Sequence, residues 1–182
     1  MPDILLQLLP HIVSSLIYAV MGVHFWHTRW RESDRPLVTL PMQGWERGVL
    51  FGALVIQGFG LYQGLFSAGG MRFSFSFAMS LMLWLAVLIY WLESFRSRMD
   101  GLQPMVLPLA ALGALSPAVF PQLRVIAHAG AWGFQLHFLT AMLAYSLFTL
   151  SALHAIFMGF AERKLHQRAI TKSLSSLPPI LT

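Results

Sequence analysis

Seven histidines are spread along this 182-residue chain, and four of them stand inside long apolar runs. His11 and His24 lie in residues 4–26, and His137 and His154 lie in residues 132–160. A polar ring in such a run is costly in lipid and normally faces a protein interior or a site. A neutral imidazole can ligate haem iron, pass a proton, or hydrogen-bond a neighbouring helix. Proton relays in membranes usually recruit Asp or Glu as well, and none of the apolar runs contains either. The same lack argues against a site for magnesium or calcium, which prefer oxygen ligands. There is no cysteine, so thiolate ligands and disulfides are excluded. No nucleophile, base and orienting group occur together at a readable spacing, so the chain does not read as an enzyme.

The elements that must hold these imidazoles are helices. The chain is 57% hydrophobic and only 10% charged, with a mean hydropathy of +0.65. An ordinary soluble domain is about 45–50% apolar and about 25% charged. The reading is therefore an all-α, polytopic integral membrane helix bundle, with the lipid bilayer as its first partner. Five transmembrane helices are expected, over about 4–26, 48–66, 73–92, 105–119 and 132–160. Together they form a bundle over 1–160. The fourth carries Pro104, Pro108 and Pro117 in or beside it and should be short or kinked. Prolines survive in such helices when neighbours satisfy the freed carbonyls. Gly44, Gly48 and Gly52, then Gly60 and Gly64, recur every four residues, a spacing that lets helix backbones approach closely. Residues 27–47, with mixed charge and two prolines, read as a solvated loop.

Charge sets an expected orientation. Arg29, Arg31, Arg35, Arg47, Arg96, Arg98, Arg163, Lys164, Arg168 and Lys172 fall on one side, and only Arg72 and Arg124 on the other. That bias predicts an N-terminus outside and a cytoplasmic C-terminus. It also accounts for the net charge of +5 without invoking nucleic acid, for which no basic face interleaved with aromatics exists. Residues 161–182 read as a cytoplasmic basic tail leading toward further helices.

Depth then groups the histidines. The first and fifth spans run in the same direction, so an outer level would hold His11 and His137, with His128 in the adjoining loop, and an inner level His24 and His154. His137 and His154 are roughly 25 Å apart along one helix and on different faces. Each would need partners from elsewhere. Either pair could straddle a haem macrocycle, as helices of a bundle present two imidazoles to one iron. The alternative is that each ring hydrogen-bonds a neighbour or reaches an interface. His27 and His166 read as solvated.

The stretch Leu136-His137, Ala144-Tyr145, Ala152-Leu153-His154-Ala155, followed by Leu177-Pro178-Pro179, resembles the cytochrome c assembly membrane proteins. The nearest branch is the HemX-like and YpjD-like proteins, related to the haem-handling CcsA and CcmC. The likeness covers roughly 132–182. It implies a polytopic protein of the bacterial inner membrane with about eight helices, concerned with haem delivery in cytochrome c biogenesis alongside other maturation proteins. It also implies that His137 is the position that touches haem iron, with His154 less securely carried over. CcsA and CcmC present haem on a tryptophan-rich outer segment with an Asp; here only Trp132-Gly133 stands at that place, which suits the HemX-like branch. The expected function is transient haem binding by an assembly factor or carrier. The alternatives are a transporter or transport accessory for an ion or small solute, and a two-haem electron-transfer subunit.

Overall fold

A computed structural model describes the backbone of residues 2–31, 42–66, 72–96, 101–120, 124–125 and 131–175, and the side chains of 7–30, 42–65, 74–96, 101–120, 131–163 and 166. The chain is built from five α-helices: α1 (Pro2–Phe25), α2 (Gly44–Phe66), α3 (Phe75–Glu93), α4 (Gln103–Val119) and α5 (Trp132–Ser175). A π-helical stretch, Trp26–Arg31, continues α1. Four helices, all but α4, are long and apolar enough to cross a membrane. With 17 residues, α4 is about 25 Å long, short of the roughly 30 Å of a hydrocarbon core. At 44 residues, α5 runs to about 66 Å, so the expected basic tail after residue 160 continues the same helix through Ser175. His128 and Leu177-Pro178-Pro179 lie outside the described residues.

The short helix is the centre. α4 packs against α1 and α3, with Val106, Leu107, Ala110, Ala111, Gly113 and Ala114 all buried. Its small residues let both neighbours come close, the way helices associate in lipid. The proline problem is solved locally. Pro117 frees the carbonyl of Gly113, and the Ser116 hydroxyl donates to it at 2.8 Å. The same hydroxyl lies 3.0 Å from the Ser76 carbonyl, while the Ser76 hydroxyl donates to the Phe120 carbonyl at 2.8 Å. These bonds tie the start of α3 to the end of α4. Nearby, β1 (Arg72–Phe73) pairs antiparallel with β2 (Arg124–Val125), joining the two connections at this end of the bundle.

Glycines divide by position. At Gly60 a side chain would meet His11 and Pro10 of α1, and at Gly64 the Phe77 ring of α3. Gly44, Gly48 and Gly52 face open space, so the expected packing role holds for one half of α2 only. At the opposite end of α2, Trp91 donates to the Arg47 carbonyl at 3.0 Å and Arg47 donates to the Ser94 carbonyl at 2.9 Å.

α5 stands apart from the other spans. It packs on α3 and touches α4, yet only 6% of its apolar window is buried, against 56% for α3. Its C-terminal half is pinned by Phe157, whose ring stacks on Trp30 and fits over Gly101. Gly101 has φ of 120°, a conformation that favours glycine.

Candidate functional site

Each expected site histidine has a distinct environment. His11 is sealed in the seam between α1 and α2, 1% exposed. Its Nε2 sits 3.2 Å from where a Gly60 side chain would begin, and Phe77 meets the ring edge-on at 5.5 Å. Its Nδ1 is buried without a hydrogen-bond partner among the described residues. Ligation by His11 would require α1 and α2 to part.

His24 is engaged inside the protein. Its Nε2 donates to Glu46 Oε1 at 3.0 Å, and Arg29 donates from Nη2 to Glu46 Oε2 at 3.0 Å. Glu46 also accepts from the backbone N–H of Gln43 at 2.7 Å, closing the first turn of α2. This is half of a capping box, in which a Glu at the third helical position reaches back to the N-cap. Trp45 covers the His24 ring at 5.1 Å, and the Arg29 guanidinium lies 4.3 Å over the Phe25 ring. The solvated loop expected over 27–47 is thus corrected at both ends. Arg29 and Glu46 are buried, at 8% and 3% exposure, and α2 starts at Gly44 rather than 48. The signal was present in the spacing of Gln43 and Glu46. His27 is exposed in the π-helical stretch and His166 is exposed on the extension of α5.

His137 and His154 are both exposed on α5. The packed face of that helix carries Phe138, Met142, Ser146, Leu153 and Phe157. At about 100° per residue, His137 points some 155° away from it and His154 some 105° away on the other flank. Neither ring has a hydrogen-bond partner among the described residues. One turn from His137, the exposed Thr140 returns its hydroxyl to the Leu136 carbonyl at 2.8 Å. Ala144, a turn further, is also exposed.

The layered pairs therefore do not meet. α1 packs on α2 and α4, α5 packs on α3 and α4, and the rings at each level face different surroundings. His11 looks into the α1–α2 seam, while His137 looks out. His24 is held by Glu46, while His154 is free on the flank of α5. The two-imidazole arrangement expected from depth fails because depth sets the level of a side chain but not the face on which it emerges.

No family model, curated protein or solved structure matches the chain. The chemistry of the site is carried by its own residues. Among the described residues there is no cluster of three or more His, Asp or Glu side chains suited to a bare metal ion. The imidazoles of His137 and His154 each stand alone on an exposed flank of α5.

Proposed function

We propose that this chain is a haem-handling protein of a bacterial inner membrane, serving cytochrome c biogenesis as an assembly factor or carrier rather than as an enzyme. The observation that carries the reading is the exposed, unpaired imidazole of His137, turned away from the packed face of an apolar span. A polar ring left unpaired in hydrocarbon is costly, and an iron atom at its nitrogen would satisfy it. The small residues Thr140 and Ala144 on the same flank leave a shallow surface beside the ring.

Of the four histidines inside the spans, His11 and His24 are held within the bundle, and His137 and His154 are roughly 25 Å apart. Among the described residues, a haem at His137 thus takes one imidazole from this chain. Single-point attachment suits a group that must be passed on. The resemblance of residues 132–182 to cytochrome c assembly membrane proteins supports the same assignment, and partners among the maturation proteins follow from it. The distribution of ten basic residues to one side supports an outer N-terminus, which sets His137 toward the outer surface and His154 toward the cytoplasm.

The test is a haem titration of the purified protein in detergent, followed by absorption and repeated with His137→Ala. The reading expects saturable binding with a Soret shift that the substitution removes. Absence of binding in the unsubstituted protein ends it. A metal-dependent growth phenotype with intact c-type cytochromes would favour a transport role instead.

A further inference from the structure

A cleft of about 290 Å³ opens between α2, α3 and α5, on the side of α5 away from His137. Its rim is exposed: Trp132 by 76%, Tyr62 by 66%, Leu136 by 52% and Leu139 by 51%. The stretch from Leu139 up to Trp132 spans about 10 Å of helix rise, so the cleft runs from the end of a span into its apolar part. It therefore opens sideways, toward lipid.

One wall is rigid and flat. Gly58 lacks a side chain, which lets the Trp84 indole lie against α2, with Cζ2 3.2 Å from where a Gly58 Cβ would be. Trp84 Nε1 donates to the Leu54 carbonyl at 2.8 Å and fixes the plane of the ring. The indole cannot swing in to fill the space. Trp132, Phe138 and Tyr62 supply further aromatic surface, and Gln135 supplies a carboxamide that has no hydrogen-bond partner among the described residues.

We propose that this cleft binds the ring end of a membrane-dissolved quinone, with its prenyl tail leaving into the bilayer. Size supports one ring and the start of a tail, since a cavity of about 150 Å³ already admits benzene. A four-ring macrocycle is too large to be enclosed, so the site is separate from haem at His137 and does not depend on it. Aromatic walls favour a flat conjugated ring in offset or edge contact. A carboxamide donor at the mouth matches a ring carbonyl. A plain acyl chain would use neither.

The experiment uses the full chain in phosphatidylcholine nanodiscs and a photoreactive azido-quinone carrying one prenyl unit, with the labelled peptides mapped by mass spectrometry. Labelling of residues 58–65 and 132–139 should saturate. Excess unlabelled quinone should compete, and added phosphatidylcholine should not. Leu139→Trp fills the cleft from its exposed rim and should weaken binding about tenfold. Gln135→Leu removes the donor and should weaken it about fivefold, as loss of one net hydrogen bond would. Both variants are checked for unchanged helical circular dichroism and monodisperse elution. Labelling that rises linearly, competition by phospholipid at equal mole fraction, or unchanged affinity in either folded variant would overturn the assignment.

Discussion

His24 Nε2 lies 3.0 Å from Glu46 Oε1, so the second histidine of the first helix is occupied as the partner of a buried carboxylate. The same carboxylate holds Arg29, and the three residues clamp the start of α2 to the end of α1. Removing one member of a buried ion pair leaves the other uncompensated. Glu46→Ala should therefore lower stability by about 3 kcal/mol or more. Glu46→Leu combined with Arg29→Met should recover much of that loss, because neither charge is then stranded. Thermal melts of the detergent-purified variants, monitored by circular dichroism, check both outcomes.

The two groups of glycines in α2 make opposite predictions. Gly52 faces open space, so Gly52→Ala should be neutral or raise stability by up to about 1 kcal/mol through better helix propensity. Gly64 lies under the Phe77 ring, so Gly64→Ala should destabilise by about 1–3 kcal/mol from overpacking. Parallel melts of the two variants read the difference directly.

Ser116 answers for Pro117. Ser116→Ala should cost about 1–2 kcal/mol, because the Gly113 carbonyl loses its donor inside the bundle. In a Pro117→Ala background the backbone N–H at position 117 can take over that carbonyl, and the penalty should shrink. A double-mutant cycle that shows no coupling would contradict the account of how α4 accommodates this proline.

The long helix is anchored at one glycine. Gly101→Ala should cost about 1–3 kcal/mol, since it strains a positive φ and places a carbon 2.7 Å from Phe157 Cζ. The displaced ring should loosen the C-terminal half of α5. A spin-label pair, one label on α5 near Phe157 and one on α3, should show a broader distance distribution in the variant.

The spans were legible because a bilayer demands long apolar helices, and runs such as Phe73–Leu92 satisfy that demand by composition alone. The shortness of α4 was legible in Pro104, Pro108 and Pro117. The start of α2 was not read from the spacing of Gln43 and Glu46, because a charged residue beside an apolar run looks solvated until a partner such as Arg29 is known. The histidine environments were the least legible part. In a helix apolar on nearly every face, as α5 is, periodicity does not reveal which side is packed. Phe138 and His137 are neighbours in sequence, and only the tertiary structure assigns one to the core and the other to the surface. The cleft beside Trp84 has the same origin, since it depends on Gly58 of a different helix.

The central claim is that His137 is open to ligate haem while His11 and His24 are not. It is tested most directly by replacing His137 with glycine and adding imidazole to the haem-titrated protein. The account predicts that His137→Gly loses the Soret band of the bound form and that free imidazole restores it. His11→Phe and His24→Phe, where they fold, should leave the band in place. A band that persists in His137→Gly, or one that disappears with His11 or His24 instead, would contradict it.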